Sequence, residues 1–525
     1  MESEPTSLWR RGAHPLPTTP GRPRDADVLV VGAGLTGLVT ALLLRRAGRD
    51  VTVVDAGTPG SLTSGANTGK VSLLQGTVLS TLRAHHPASL VRAYVEANSE
   101  GAAWLTVFAD AEGVPFSRRT AYSYAPTAAG AADVAAEAAA AAEAGLPVHR
   151  VMPERDLPFP VADAVALDDQ VAIDPYAVVR ALTARLLAEG GRVHTGIRVT
   201  GVGTVPRPHV RTDAGSLHAE RIVLATGTPI SGRGLYFAKT RGLRSSCVAF
   251  TVPGDVPDGL FLSVDTPTRS IRSVTDADGP ADRAGANLIV GGNGFAVGRQ
   301  GSERAAVDDL VAWTRAHFAG AEPVTWWSAQ DYQSHDLIPF IGVMPRTRGR
   351  VWFATGYGKW GLALAPAAAL RIAAEITGVP WRERSAWMRA FGTRLTVPAD
   401  LARGGAENVA VARVAASGWI GAARRPVPVP RPAEGEGVIA HRGVVPVGVS
   451  TVGGRTRAVR AVCTHLGGVL EWNDAECTWD CPLHASRFAP DGRRIEGPAL
   501  TDLARLPRTA GEPVPRDAQA PLQTE

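Results

Sequence analysis

Two short pairs of cysteine and histidine near the C-terminus have the residue types and spacing of a metal centre. Cys463 and His465 form the first pair, Cys481 and His484 form the second, and fifteen residues, 466–480, separate the pairs. One kind of 2Fe-2S centre binds one iron through two thiolates and the other iron through two imidazoles, which these two arms can supply. Zinc could also take two cysteines and two histidines, although zinc sites rarely have one of each on both arms. The spacing therefore predicts a metal centre and favours the iron–sulfur cluster.

The residues around these pairs resemble those of Rieske domains. Pro482 and Ser486 follow the second cysteine, and Gly497-Pro498-Ala499 stands where such domains have the loop that covers the cluster. The resemblance implies that the Ser486 hydroxyl hydrogen-bonds a cluster sulfur. Many Rieske domains also have a cysteine after each arm, and these two form a disulfide, whereas Gly468 and Leu483 occupy those places here. Without this brace we expect a reduction potential in the lower part of the roughly −150 to +300 mV range of Rieske centres.

The remaining cysteines and nearby tryptophans are given no chemical role. Cys247 and Cys477 are predicted to be small buried side chains. Trp472 and Trp479 are expected to be buried aromatics of a small β domain. Only four cysteines occur in 525 residues, and three lie near the predicted metal centre. This usage argues against a disulfide framework and favours a reducing, cytoplasmic location.

A second chemical signal is a Gly-x-Gly-x-x-Gly sequence between an apolar strand and a helix predicted over residues 38–47. Glycines at this spacing let the backbone approach a pyrophosphate at the positive end of the helix. The next predicted strand, residues 51–54, ends at Asp55, which would accept a hydrogen bond from a ribose hydroxyl and repel a 2′-phosphate. The pattern therefore predicts a bound dinucleotide other than NADP. Its predicted contacts are Gly32, Gly34, Leu35, Thr36, Gly37 and Asp55.

Two further segments favour FAD over NAD. Residues 61–72 offer small side chains and amides for phosphates and a flavin, and residues 354–366 form a second glycine-rich link from strand to helix. Together with the glycine fingerprint and residues 222–227, they resemble the D-amino-acid oxidase/glycine oxidase family of FAD-dependent oxidoreductases over residues 25–380. The resemblance implies an FAD-binding domain built from discontinuous stretches, with FAD contacts added at Ser64, Thr68, Lys70, Val199, Thr226, Gly227, Gly356, Lys359 and Gly361. We expect non-covalent FAD, because residues 61–72 contain no histidine or cysteine.

No residue is identified firmly as catalytic, because the sequence has no specific triad or pair of carboxylates. Lys359, in a turn that the resemblance places near the flavin pyrimidine edge, would stabilise an anionic reduced flavin. His335 and Arg241 are weaker candidates, and Arg241 and Arg299 could each grip a substrate carboxylate. Each has an ordinary alternative, because lysines and arginines are common on solvated surfaces and His335 could be a hydrogen-bonded loop histidine.

Almost the whole chain resembles bacterial proteins that join an amino-acid-oxidase-like FAD domain to a C-terminal Rieske domain. A flavin takes two electrons as hydride and a 2Fe-2S cluster carries one at a time, so the fusion implies a two-to-one electron splitter. We expect an FAD-dependent dehydrogenase or oxidase that acts on an amine, an amino acid or a related C–H donor. The cluster would pass the electrons to an acceptor such as a redox protein. Two alternatives stay open, namely electron flow in the opposite direction and a non-enzymatic redox sensor.

An α/β body and a small β domain must position these groups. The expected fold class is an α/β FAD-binding domain (Rossmann-like, glutathione-reductase-type) with an inserted α+β substrate domain, followed by a small all-β Rieske domain. Strands are predicted at 221–225, 288–290 and 351–354, a surface helix at 128–145, and further helices at 174–188 and 366–376. The predicted organisation is a flexible arm (1–24), an FAD-dependent oxidoreductase region (25–380) with substrate-domain segments at about 100–165 and 238–335, a helical and Pro-rich linker (381–431), a Rieske domain (432–510) and a flexible tail (511–525).

Composition agrees with a multidomain globular protein. A chain of 525 residues with 45% hydrophobic and 20% charged residues exceeds one ordinary domain and has enough apolar surface to exclude general disorder. The net charge of +5 comes from scattered basic residues, which argues against a nucleic-acid partner. The longest uncharged stretch, residues 28–44, is too short to cross a bilayer and contains glycines, so no membrane span is predicted.

Overall fold

The structure is a computed structural model that describes residues 5–151, 157–278, 285–392, 398–427 and 429–506, without the side chains of residues 398–403. The chain divides into two compact units, Met1–Val409 and Ala410–Glu525. The predicted tail, 511–525, lies outside the described residues.

In the described part of the first unit the strands are β1 (Ala26–Val31), β2 (Val51–Val54), β3 (Lys70–Val71), β4 (Phe116–Ala125), β5 (His149–Val151), β6 (Asp163–Ile173), β7 (Arg192–His194), β8 (Val199–Gly203), β9 (His209–Thr212), β10 (Gly215–Leu224), β11 (Thr240–Thr251), β12 (Leu260–Ser263), β13 (Arg269–Ser273), β14 (Leu288–Ala296), β15 (Glu322–Ser334), β16 (Phe340–Val343) and β17 (Val351–Thr355). The helices are α1 (Leu35–Arg46), α2 (Val78–His85), α3 (Ala88–Ala111), α4 (Ala131–Glu143), α5 (Pro175–Ala188), α6 (Glu303–His317), α7 (Gly361–Ile376), α8 (Ala386–Ala390) and α9 (Pro398–Ala423), and α9 continues into the second unit.

An eight-stranded sheet forms the nucleotide-binding layer, with the order β16-β17-β10-β1-β2-β7 and a β8–β9 hairpin joined to β10. Its central strands β17, β10, β1, β2 and β7 are parallel. Strands β1 and β2 consist largely of buried valine and leucine, as expected for a parallel strand covered on both faces. Helices α1 and α7 pack against each other beside this sheet. The turn from β1 to α1 therefore lies at the carboxyl edge of parallel strands, where open α/β sheets bind ligands.

A nine-stranded, mostly antiparallel sheet forms the second layer of this unit, in the order β15-β11-β14-β13-β12-β4-β6-β3, with β5 paired to β6. The strands lie at residues 70–71, 116–173 and 240–334, so the predicted segments 100–165 and 238–335 supply most of them. Helix α3 packs on α7 through Gly101, where a Cβ would lie 2.0 Å from the Ala363 oxygen. This close approach joins the insertion to the helix that follows the second glycine segment.

Helices α1 and α7 begin earlier than the sequence predicts, and helix α4 has a buried face that the sequence did not predict. Helix α1 begins at Leu35, immediately after the glycine turn, and α7 begins at Gly361, five residues before Pro366. The region predicted as a surface helix at 128–145 forms α4, whose Glu137 is completely buried. The two Glu137 carboxylate oxygens accept hydrogen bonds from the Leu79 and Ser80 amides, 3.2 and 2.7 Å away, at the start of α2. The alanine-rich composition therefore gave no indication that Glu137 is buried against α2.

The N-terminal segment corrects the prediction of a flexible arm over residues 1–24. From Pro5 onward it is described, and Leu8 and Trp9 are buried. The Ser7 hydroxyl donates to the Gly65 oxygen at 2.6 Å, and the Trp9 indole donates to the Asn67 oxygen at 2.6 Å. The physical reason is that two apolar side chains find a buried position against residues 61–67, one of the segments predicted to contact FAD.

The described residues of the second unit are all β apart from the end of α9. Its described strands are β18 (Gly437–Arg442), β19 (Val445–Val452), β20 (Arg455–Arg460), β21 (Glu471–Asn473), β22 (Thr478–Asp480), β23 (Arg487–Phe488) and β24 (Arg494–Glu496). They form an antiparallel three-stranded sheet, β18-β19-β20, and an antiparallel four-stranded sheet, β21-β22-β23-β24. The loops after β20 and β22 contain the two cysteine–histidine pairs. No helix in the described part of the chain has the length and apolar character needed to cross a membrane.

Candidate functional site

The glycine turn after β1 has no room for side chains. Gly32 has a φ of +108°, and a Cβ there would lie 2.3 Å from the Ala225 oxygen. A Cβ at Gly37 would lie 1.9 Å from the Gly32 oxygen, and one at Gly34 would lie 3.1 Å from the Ser64 hydroxyl. The turn therefore folds tightly onto α1 and onto β10, with its backbone amides at the helix N-terminus. This is the arrangement that a dinucleotide pyrophosphate requires.

Asp55 lies at the end of β2 beside this turn. One carboxylate oxygen accepts a hydrogen bond from the Ala33 amide at 2.6 Å, and the other accepts from the Gly57 amide at 2.7 Å. Burial raises the pKa of Asp55, and the two amides act in the opposite direction. The carboxylate is thus fixed next to the predicted phosphate site, in the position expected of a ribose acceptor.

Three segments that are distant in sequence meet at the start of α1. The Leu35 amide donates to the Ser64 hydroxyl at 2.9 Å, which joins residues 61–72 to the helix. The Thr36 hydroxyl and the Tyr357 hydroxyl lie 2.9 Å apart, which joins the second glycine segment to the same helix. The structure therefore brings the predicted FAD segments together. Tyr357 was missed by sequence reasoning, although it lies inside the segment 354–366.

The turn before α7 has an unusual backbone. Gly356, Gly358 and Lys359 have φ values of 88°, 59° and 78°, and this left-handed conformation is unfavourable for a residue with a side chain such as Lys359. The Asp331 carboxylate on β15 accepts a hydrogen bond from the Lys359 amide at 2.5 Å and another from the Tyr332 amide at 2.7 Å. Burial raises the pKa of Asp331 to about 6. Asp331 therefore holds the strained turn, a role that sequence reasoning did not identify.

Two lysines lie near Cys247 on the second sheet. Lys359 is exposed to solvent, and partial desolvation by neighbouring protein atoms lowers the pKa of its ammonium. Lys70 is buried on β3 and donates to the Phe261 oxygen at 3.2 Å and to the Ser270 hydroxyl. Burial lowers the pKa of Lys70 to about 7 and raises the pKa of the Cys247 thiol to about 12. Lys70 therefore lies in the second sheet, and its contact with FAD stays a prediction.

The other predicted FAD contacts are placed as follows. Val199 is buried at the start of β8, and the Thr226 hydroxyl donates to the Thr228 oxygen at 2.7 Å. The Gly227 oxygen accepts from the Thr355 hydroxyl at 2.6 Å, next to Gly356. The Thr68 oxygen accepts from the Arg272 guanidinium at 2.9 Å, so this residue, like Lys70, contacts the second sheet. Gly361 begins α7.

The two arginines predicted to bind a substrate carboxylate, Arg241 and Arg299, form ion pairs within the chain. The Arg299 guanidinium lies 2.8 Å and the Arg241 guanidinium 3.8 Å from one oxygen of Glu407 on α9. Glu407 therefore already supplies a carboxylate to both arginines, and their contact with a substrate stays a prediction. His335 is half-buried beside Gly404 of α9, and burial lowers the pKa of its imidazole. Glu407, which lies more than a hundred residues from either arginine, was not found from the sequence.

The four predicted metal ligands converge in the second unit. Cys463 and Cys481 are buried, and the His465 and His484 rings lie 5.2 Å apart at 83°. Hydrogen bonds from the Cys481 thiol, the His465 amide and the Ser486 hydroxyl lower the pKa of Cys463 to about 7. Burial acts in the opposite direction. Burial lowers the pKa of His465, which keeps the imidazole in the neutral form that binds metal. The donors therefore form one thiol pair and one imidazole pair, which fits a 2Fe-2S cluster.

The two ligand loops have matching backbones. The Cys463 amide donates to the Gly468 oxygen and the Cys481 amide donates to the Ser486 oxygen, both at 2.8 Å. A Cβ at Gly468 would lie 2.6 Å from Leu483. These two residues, which occupy the positions of the disulfide cysteines of many Rieske domains, therefore face each other. The Leu483 side chain fills the place of the absent brace.

Ser486, Trp472, Trp479 and Cys477 lie around the two ligand loops. The Ser486 hydroxyl, which hydrogen-bonds Cys463, also accepts from the Ala499 amide at 3.1 Å, and this bond ties the covering loop to the site. Trp479 is completely buried and packs edge-on against the half-buried Trp472 at 4.6 Å. Cys477 differs from the prediction of a buried filler, because it is half-buried in a turn with a φ of 53°.

Fold and sites together define an FAD-dependent oxidoreductase with a Rieske domain. Residues 27–375 match the family DAO, FAD dependent oxidoreductase, and residues 432–507 match the Rieske [2Fe-2S] domain. The chain belongs to the FAD dependent oxidoreductase family, binds FAD in the first of these regions and binds a 2Fe-2S cluster in the second. The predicted family resemblance, fold class and cofactors are confirmed.

Particular relatives agree with this assignment. The chain is 27% identical over 514 residues to the Bacillus subtilis (strain 168) protein named "Putative Rieske 2Fe-2S iron-sulfur protein YhfW", with 96% of this chain and 97% of that protein covered. Over 49 residues it is 49% identical to the chloroplastic cytochrome b6-f complex iron-sulfur subunit of Arabidopsis thaliana, which covers 9% of this chain and 21% of that subunit. The structure of glycine oxidase from Geobacillus kaustophilus has a similar fold, with a TM-score of 0.59, 18% identity, and 71% of this chain and 100% of that chain covered.

Proposed function

We propose that the protein oxidises an amine, an amino acid or a related C–H donor at its FAD and passes the electrons one at a time through the Rieske cluster to an acceptor. The main support for this proposal is that one chain contains both a dinucleotide-binding turn, at Gly32, Gly34 and Gly37, and a complete set of cluster ligands. FAD supplies a hydride acceptor, and the cluster supplies a one-electron carrier. The amino-acid-oxidase-like fold of the first unit favours a nitrogen-bearing hydride donor.

The residues around the glycine turn would hold the FAD. The amides at the start of α1 would bind the pyrophosphate, and Asp55 would bind the ribose. Ser64 and Tyr357 contact the first turn of α1 and therefore lie beside the proposed pyrophosphate site. The other residues proposed to line the FAD site are Gly32, Gly34, Leu35, Thr36, Gly37, Thr68, Val199, Thr226, Gly227, Gly356 and Gly361.

Lys359 would supply positive charge near the flavin. Asp331 fixes its backbone, and its ammonium lies against Gly294, where a Cβ would come within 2.5 Å of Nζ. A cation there would favour the anionic form of the reduced flavin. Lys70, whose ammonium is bonded within the second sheet, is also proposed to contact FAD. No general base is assigned.

Cys463 and Cys481 would bind one iron, and His465 and His484 would bind the other. Both histidines are partly exposed and Leu466 beside them is 56% exposed, whereas both cysteines are buried. The histidine-bound iron would therefore lie nearer to solvent, which suits electron exchange with a separate redox protein. We propose such a protein as the acceptor.

Anaerobic mixing of the holoprotein with glycine, sarcosine, L-proline and simple primary amines tests this function. A donor of the proposed class should bleach the visible absorbance of the oxidised flavin, and the cluster should then become reduced. Buffer without donor is the control. If none of these donors bleaches a flavin that dithionite reduces readily, the proposed direction of electron flow is contradicted.

A further inference from the structure

A buried group of charges lies under the second ligand loop. It consists of Arg487, Asp480, Glu476 and Glu496, here called the Arg487 cluster. The Arg487 guanidinium is 3.1 Å from an Asp480 oxygen, 3.1 Å from a Glu476 oxygen and 3.9 Å from a Glu496 oxygen. Arg487 and Asp480 are almost completely buried. Buried ions at such distances interact strongly, and removal of one partner leaves an uncompensated charge.

The sheet pairing explains why these charges meet. Arg487 on β23 pairs directly with Asp480 on β22 and with Glu496 on β24. Opposite residues on neighbouring strands bring their side chains together on one face. Glu476 reaches the same guanidinium from the turn between β21 and β22.

The Arg487 cluster is also placed at the two ends of the ligand loop. Asp480 directly precedes Cys481, and Arg487 directly follows Ser486, which hydrogen-bonds Cys463. The Asp480–Arg487 pair therefore closes the base of loop 481–486. In the expected disulfide positions Gly468 and Leu483 face each other without a covalent bond. An ionic clamp at the loop base is a second way to fix the loop.

The Arg487 cluster brings negative charge close to the second ligand loop. Three carboxylates face the Arg487 guanidinium. Burial opposes ionisation of Arg487, and the carboxylates, Asp480 foremost, outweigh it and raise the pKa of the guanidinium. Negative charge in a poorly screened interior disfavours the addition of an electron nearby. The same residues can therefore act on the position and on the potential of the metal centre.

We propose that the Arg487 cluster clamps the second ligand loop and lowers the reduction potential of the neighbouring 2Fe-2S centre. Asp480 and Arg487 are positioning residues, since they act through the loop that they close. Glu476 and Glu496 supply further carboxylates close to the loop. This role goes beyond the proposed oxidation and does not depend on the identity of the substrate.

Redox titration of the full-length holoprotein, followed by EPR of the reduced cluster, tests the proposal. Glu496→Gln removes one negative charge and keeps the size of the side chain, so the midpoint potential should rise. Glu434→Gln is the matched control, because Glu434 is an exposed carboxylate of the same unit that accepts hydrogen bonds from the Gly453 and Gly454 amides. Its midpoint should equal that of the wild type.

Two further variants separate the clamp from the charge. Arg487→Lys keeps the charge and loses the planar fork, so a chelator should remove the cluster faster while the midpoint moves less than in Glu496→Gln. Asp480→Asn should raise the midpoint and also speed cluster loss. If Asp480→Asn does not assemble a cluster, Glu496→Gln alone decides. A fully loaded Glu496→Gln protein with the same midpoint as Glu434→Gln overturns the proposal.

Discussion

Replacement of Asp55 gives a quantitative test of the FAD cradle. In the structure both carboxylate oxygens accept amide hydrogen bonds, from Ala33 and Gly57, at the edge where the ribose is expected. Asp55→Ala removes the proposed charged hydrogen bond to the ribose, which contributes about 1.5–3 kcal/mol. At about 1.4 kcal/mol for each tenfold change, the FAD dissociation constant should rise about 10- to 150-fold.

The assay is titration of apoprotein with FAD, read by quenching of flavin fluorescence. Asp27→Ala is the matched control, because Asp27 accepts a hydrogen bond from the Asp50 amide at 2.9 Å in the same sheet and is not a predicted FAD contact. Both variants lose an amide acceptor and should unfold at lower temperature, whereas only Asp55→Ala should lose FAD affinity. Equal dissociation constants for the two variants would show that the ribose is held elsewhere.

Three further predictions follow from the site and the buried carboxylates. His484→Ser should abolish the Rieske-type EPR signal and leave the flavin spectrum unchanged, because the ligands and the cradle lie in separate compact units. Asp331→Asn should shift the flavin spectrum and remove a wild-type spectral change centred near pH 6, since the pKa of Asp331 is raised to about 6 and its protonated form cannot accept both amide hydrogen bonds. Burial raises the pKa of Glu137 to about 7, so the folded state binds a proton that the unfolded state releases, and wild-type stability should fall as pH rises from 4.5 to 7. Over that range Glu137→Gln should gain up to about 3 kcal/mol in unfolding free energy relative to wild type.

A specific result would contradict each of these three predictions. A surviving Rieske signal in His484→Ser would remove this residue from the ligand set. A change near pH 6 that persists in Asp331→Asn would assign that transition to another group. Parallel pH profiles of wild type and Glu137→Gln, measured by thermal unfolding, would show that Glu137 has an ordinary pKa.

The sequence was informative where chemistry demands a fixed residue type at a fixed spacing. Gly32 and Gly37 tolerate no side chain, because a Cβ would collide with backbone oxygens. Cys463 and Cys481, with their histidines, are likewise irreplaceable donors to a mixed-ligand cluster. Such constraints are local, so the motif, its fold and its cofactor could be predicted together.

Contacts made by ordinary residues across long stretches of chain could not be predicted. Asp331 holds the Lys359 turn, and Glu407 engages Arg299, yet neither carboxylate has a local pattern that distinguishes it from a surface residue. The prediction for the N-terminal segment was wrong for the same reason, since Trp9 is buried beside a segment that is more than fifty residues away in sequence. Partners of this kind are set by tertiary packing rather than by spacing.

Transfer of electrons from flavin to cluster within one chain is the central claim, and light-driven anaerobic reduction of the flavin tests it without a substrate. After a brief flash with EDTA as the sacrificial electron donor, the Rieske-type EPR signal should grow in the dark as the reduced flavin gives one electron to the cluster. Its rate constant should be independent of protein concentration. A cluster that stays oxidised beside reduced flavin, or a rate that rises in proportion to protein concentration, would contradict the account.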